Sequence, residues 1–279
     1  LFFLWAPLHA AALNLSCSRI VSLAPSVTEL VYLLNLQSHL MGVTRYCEYP
    51  PAASQKPRVG GFLDPNYEAI IALKPTLVVL LKEQEDIARQ LNQYGFKTLL
   101  VEHRNISGIL ESISKLGSQC RQEKRAKAAA RQIDGAVRAI ADKLQHATPV
   151  RTLISVGRSG DPNTIRQVYL SGNDGFYTEL LKLAGGENVY TGETVSLPTV
   201  STEGIISLKP DLIVEIVPHL DRQGWTKSQI KRSWESAFSA YGLELPKVLV
   251  VSEKVAAIPG PRFPEVLDLF AKALHPEAF

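Results

Sequence analysis

Two glutamates, three cysteines and a few loop arginines are the residues of this 279-residue chain whose types and spacing could do chemistry. Glu68 and Glu203 head two copies of one pattern, E-A-I-I-A-L-K-P-T-L-V-V and E-G-I-I-S-L-K-P-D-L-I-V, which share eight identical positions and start 135 residues apart. Each copy reads as a helix running into a buried strand, with Lys-Pro as the turn. A carboxylate at a helix start interacts favourably with the macrodipole, which is one sufficient reason for it. A second reason is positional. In an open α/β sheet, a helix that precedes a strand begins on the face where other strands end. The two carboxylates would then sit one per half of the molecule, suited to a partner with paired basic groups.

The cysteines are Cys17, Cys47 and Cys120, an odd number that allows at most one internal bridge and one free thiol. Cys47 with His103 or His219 is the conceivable thiol–imidazole pair. No spacing supports it, and G-x-S-x-G, Walker A and H-E-x-x-H motifs are absent, so no enzyme is expected. A metal-ion-binding protein is the other alternative class. It needs converging His and carboxylate ligands, whereas His39, His103, His146, His219 and His275 stand singly, and no metal ligand is assigned.

Composition narrows the class further. Hydrophobic residues make up 46% and charged residues 20%, enough for a large core and unlike a disordered chain. Thirty basic against 27 acidic residues leave a net charge of +3, which gives no dedicated nucleic-acid surface. Residues 1–12 begin with LFFLWAPL and continue with HAAA, the pattern of a signal-peptide apolar region and cleavage site. The run is far shorter than the ~20 residues of a membrane span. The expectation is export to an oxidising compartment, with lipid attachment at Cys17 as a weaker alternative.

The elements that must position these residues alternate. Strands are expected at 19–24, 41–44, 77–81, 97–101, 152–156, 168–171, 212–216 and 247–252. Helices are expected at 27–36, 66–73, 86–94, 106–120, 176–184, around 205–208, at 227–241 and 264–274. A Pro- and Gly-rich loop covers 45–64. Residues 122–146 read as one helix of about 25 residues, ~37 Å long, either an amphipathic surface helix or a rigid connector, the latter because strand–helix alternation restarts right after it. The fold class is α/β: two lobes, each with a central mostly parallel sheet flanked by helices, joined by one long backbone helix. The boundaries are 18–121, 122–147 and 150–279. On this topology Cys17 and Cys120 share the end away from the ligand face, so a Cys17–Cys120 disulfide is geometrically reasonable. Cys47 is left on the ligand side.

Several stretches resemble one known family: R-I-V-S-L-A-P-S-V-T-E-L from Arg19, G-V-T-R-Y-C-E-Y-P from Gly42, N-Y-E-A-I-I-A-L-K-P from Asn66, G-G-E-N-V from Gly185, and P-R-F from Pro261. Together they resemble the helical-backbone (class III) periplasmic substrate-binding proteins of ABC importers, whose members bind cobalamin, siderophores or haem. The likeness is strongest to the cobalamin-binding members. It implies a soluble monomer in the periplasm with no resident cofactor and a metal chelate as cargo. By this resemblance Glu68 and Glu203 dock onto arginines of the transmembrane permease dimer. Tyr46 corresponds to a tyrosine that packs on the corrin ring, while Phe62 and Leu197 stand where cobalamin-binding members carry tryptophans. Arg45, Arg158 and Arg262 lie on loops of the ligand face, where guanidinium groups suit carboxylate or phosphate. Cys47 adjoins Tyr46 there.

Overall fold

The computed structural model describes residues 17–158, 161–173, 175–192, 197–218, 220 and 222–279. The expected signal segment and His219 lie outside these residues. The chain divides into two compact units, one of residues 1–101 with 111–129, the other of 102–110 with 130–279.

The first unit is built on four parallel strands: β1 (Ile20–Ser22), β2 (Leu40–Val43), β3 (Leu77–Leu81) and β4 (Thr98–Val101), in the order β2-β1-β3-β4. Parallel strands need crossover helices. These are α1 (Pro25–Leu33), α2 (Tyr67–Ala72) and α3 (Glu85–Gln93). Pro25 opens α1, two residues earlier than the apolar periodicity suggests. Its fixed φ and missing N–H suit a first turn. The core joins Val21, Leu23, Val78 and Leu80 from the sheet to Ile70, Ala88 and Leu91 from the helices. β3 is continuously apolar because both its faces are covered.

α4 (Ile106–Gln119) and α5 (Glu123–Lys143) follow. α5 has 21 residues rather than about 25, with Glu123 in its first turn and Lys143 in its last. Ala126, Ala129, Ile133 and Ile140 form its buried stripe, the spacing of one helix face. Gly117 permits the close approach of α4 to α5: a Cβ there would stand 2.6 Å from that of Ala126. Cys17 and Cys120 form a disulfide with Cα atoms 5.5 Å apart, closing a loop across 103 residues of sequence. A crosslink over so long a loop restricts the unfolded chain. The Cys17→Ala/Cys120→Ala variant is expected to lose about 2–4 kcal/mol, read as a lower urea midpoint.

Among the described residues the second unit carries six strands. β5 (Val150–Arg158) is its centre, flanked by β9 (Leu212–Ile216) and then β10 (Lys247–Val251), all parallel. On its other edge β5 is long enough to pair twice, with the parallel β7 (Gly186–Asn188) at its start and the antiparallel β6 (Gln167–Leu170) at its end. β8 (Thr199–Ser201) pairs antiparallel with β6. β7 and β8 are three-residue strands that the sequence reading leaves as loop. Each is too short for period-two alternation to register. The helices are α6 (Phe176–Leu183), α7 (Thr202–Leu208), α8 (Lys227–Ser239) and α9 (Phe263–Leu274). Leu153, Ile213 and Val250 pack with Ile205, Ile230, Trp234 and Phe238. Among the described residues no helix is long and apolar enough to cross a membrane.

Candidate binding and docking sites

The duplicated pattern folds into duplicated structure. Asn66 caps α2 by accepting the Ala69 N–H at 2.9 Å, and Ser201 caps α7 by accepting the Gly204 N–H at 3.4 Å. Glu68 and Glu203 therefore occupy the same second helical position, and both are exposed. At the other end Lys74 and Lys209 take left-handed conformations, φ 46° and 48°. That geometry ends a helix, and the proline that follows cannot continue it. An arginine then closes each turn. Arg19 donates to the carbonyls of Leu73 and Lys74 at 2.6–3.2 Å, and Arg151 to those of Leu208 and Lys209 at 2.9–3.4 Å. These arginines escape the sequence reading because the match is out of step before the repeated pattern. The signal was there at β1 and β5: Arg19 stands just before, and Arg151 second in, the strand that pairs with the repeat's own strand.

The two glutamates differ in surroundings. Glu203 accepts a short hydrogen bond from the Tyr241 hydroxyl, and this bond, with help from backbone and Ser201, holds its carboxyl below the ordinary value.

In the first unit the loop from Thr44 to Asn66 leaves the C-terminal end of β2. Arg45 and Tyr46 emerge there, both exposed, with Tyr46 53% accessible. The Arg45 guanidinium lies 5.6 Å over the Tyr46 ring and pairs with Asp64. Exposed contacts of this kind contribute only about 0.5–1 kcal/mol each, so Arg45 can exchange Asp64 for another anion. Gly60 makes the turn that returns Asp64: its φ is +94°, and a Cβ would meet the Asn66 nitrogen at 2.4 Å. Leu63 is 75% exposed and Tyr49 45%, while Phe62 is half-buried.

Two residues outside the sequence reading hold this loop. Arg58 donates to the carbonyls of Thr44 at 2.8 Å, Cys47 at 3.0 Å and Ser54 at 3.1 Å. Gln84, itself buried, donates to the carbonyls of Leu23 at 3.1 Å and Phe62 at 2.7 Å, and accepts the Leu81 N–H at 3.0 Å. A buried amide satisfied on both ends fixes backbone positions. Nothing in local sequence marks such a glutamine.

Cys47 does not reach the surface. Its thiol is fully buried, 3.1 Å from the Thr44 hydroxyl, and burial pushes its pKa up. The chain turns inward directly after Tyr46, so a thiol expected to face ligand packs into the first unit instead. A buried, protonated thiol is a poor nucleophile.

Arg158 also departs from the expectation. Its side chain is 2% exposed and pairs bidentately with Glu215, which is 0% exposed. It also donates to the Ser233 hydroxyl at 2.6 Å, and the Trp234 indole N–H donates to the same Glu215 carboxylate. The guanidinium is committed inside the second unit because Glu215 projects from the neighbouring strand β9 into an otherwise apolar core. Arg262 stands just before α9, mostly covered, and pairs with Glu265 at 3.3 Å. Leu197 is 55% exposed.

His103 is buried, and desolvation lowers its pKa to about 4. An unfolded histidine binds a proton near pH 6.5, so the unfolded state takes up protons first as pH falls. The stability contribution is complete above pH ~6.5 and is lost as pH drops toward 4. Between pH 7 and 5 this amounts to about 2 kcal/mol. Urea midpoints should fall over that interval in the wild type and stay nearer level in His103→Leu.

The site presents exposed aromatic and cationic side chains on a fastened loop and matched carboxylates at equivalent helix starts. The chain belongs to the periplasmic binding protein family, which it matches over residues 20–230. It is a substrate-binding component of the ABC-importer type and not an enzyme. It is 29% identical to the vitamin B12-binding protein of Yersinia pestis (strain Pestoides F) over 201 residues, 71% of this chain and 69% of that one. Its fold is similar to that of the periplasmic vitamin B12-binding protein of Vibrio cholerae, with a TM-score of 0.76, 24% identity, and coverage of 94% of this chain and 97% of the other. It is equally similar to a periplasmic haem-binding protein from Roseiflexus sp. RS-1, with a TM-score of 0.77, 21% identity, and coverage of 94% and 99%.

Proposed function

We propose that this protein is exported to the periplasm, captures a corrinoid, and delivers it to a permease dimer by docking through Glu68 and Glu203. The repeat carries the docking part. Two exposed carboxylates occupy one helical position behind side-chain caps on two α/β units. Macrodipole stabilisation alone would accept a carboxylate anywhere in the first turn. The exposed Tyr46 face, with Arg45 above it, supports the corrinoid part. A flat macrocycle can pack on the ring, and the arginine can turn from Asp64 to the ligand's polar rim. The 29% identity to a vitamin B12-binding protein agrees with this.

A second reading keeps the transport role and changes the cargo to haem or a ferric siderophore. It is favoured by Phe62 and Leu197, which offer less flat surface than tryptophan would, and by the equal likeness to a haem-binding fold. Difference-absorbance titrations with cyanocobalamin, haemin and a ferric catecholate siderophore separate the two. Saturable one-to-one change with cyanocobalamin supports the first reading. A response to haemin or siderophore alone replaces it with the second, and silence in all three arms overturns both.

A further inference from the structure

Tyr241, just beyond the C-terminal end of α8, is half-exposed, yet its hydroxyl is fixed on one oxygen of Glu203. Glu68, at the equivalent place in the first unit, has no such hydrogen bond or ion pair among the described residues. The repeat is therefore alike in backbone and unlike at the carboxylate. Tyr241 and Glu203 line one groove of the second unit, with Thr202, Ser236, Ala240 and Arg166. Arg166 brings a guanidinium to the same groove but forms no ion pair with Glu203 among the described residues.

We infer that Tyr241 is a positioning residue for docking: it holds the exposed Glu203 carboxylate in one rotamer that faces a cationic side chain of the partner. The inference rests on the proposed docking role of Glu203. An exposed glutamate samples several rotamers and must give them up on binding, a cost that a pre-formed hydrogen bond removes in advance. A carboxylate has about four lone-pair sites on its two oxygens, so the phenol and the local donors leave capacity for a further donor. Its ring also offers a face to an incoming guanidinium. The two docking points are then unequal. Glu203 is ordered before contact and Glu68 orders upon it, so Tyr241 makes the second unit the stronger anchor. Arg166 opposes a cation in this groove, so its removal should strengthen binding there.

The test is an NMR titration of the full chain with N-acetyl-arginine methylamide as probe, following the Gly204 backbone amide in every variant and, where Glu203 is present, its side-chain carboxyl carbon. The carboxyl signal gives the pH titration of Glu203. In Tyr241→Phe the Glu203 midpoint should rise toward the ordinary carboxylate value, thermal stability should stay unchanged, and probe binding should weaken roughly two- to tenfold. Arg166→Gln should bind more tightly. Glu203→Gln should abolish binding, and Glu235→Gln, an exposed charge on α8 that does not line the groove, should not alter it. If Tyr241→Phe binds the probe as well as wild type, or better, while Glu203→Gln does not bind, the positioning role is overturned and the docking role of Glu203 stands. If Glu203→Gln binds like wild type, both fall.

Discussion

Reversing both repeat glutamates, Glu68→Lys with Glu203→Lys, is expected to reduce uptake of radiolabelled cyanocobalamin to background while leaving ligand affinity within about twofold of wild type. The comparison is made in cells that depend on this protein for uptake. On the proposed docking role, each reversal would place a cation against a basic site of the partner, and like-charge contact at an interface costs several kcal/mol. Two such contacts amount to at least about a hundredfold loss of association. The substitutions should not unfold the protein. Both side chains are exposed, and the helices they start are capped by Asn66 and Ser201, not by the glutamates. A lysine in a first turn costs only about 0.3–1 kcal/mol against the helix dipole. Lost ligand affinity in the double variant would put the glutamates in the ligand pocket, and unimpaired uptake would remove the docking role.

The largest expected effect on stability comes from Arg158. Arg158→Met leaves Glu215 buried with its countercharge gone, and breaking a buried pair in this way costs about 3–5 kcal/mol. The melting temperature should fall by about 6–20 °C, at about 2–4 °C per kcal/mol for a chain of this size class. Adding Glu215→Gln removes the stranded charge and keeps an oxygen to accept the Trp234 N–H, so the double variant should recover at least half of the loss. Urea denaturation of the three proteins measures this directly. If Arg158→Met is as stable as wild type but binds ligand poorly, the guanidinium faces the ligand after all.

How much of this was legible in the sequence follows physical lines. The repeat and the apolar strand β3 stand out because burial on both faces demands an unbroken hydrophobic run. The helix starts at Glu68 and Glu203 are legible because a carboxylate in a first turn answers the local helix dipole, whereas the caps Asn66 and Ser201 show only in the folded chain. The fates of Arg158 and Cys47 are not. Each depends on a partner distant in sequence or on which way one loop residue turns, and no local pattern records either. Glu215 sits inside an apolar strand and reads as an oddity until its partner is seen across the β5–β9 pairing. Gln84 and Arg58 likewise act through backbone carbonyls of a loop that only the folded chain brings to them. Tyr241 lies 38 residues from the glutamate it holds, at the end of a helix expected over 227–241 that stops at Ser239, and no local pattern links the two.

The central claim is that the loop from Thr44 to Asn66 presents Tyr46 to a corrinoid. Calorimetric titration of purified protein with cyanocobalamin, wild type beside Tyr46→Ala, tests it most directly. Tyr46 is exposed, so its truncation should leave the melting temperature unchanged. The prediction is one-to-one binding with a submicromolar dissociation constant, weakened by about tenfold or more in Tyr46→Ala. Heats of dilution alone in the wild type, or equal affinity in the two proteins, would contradict it.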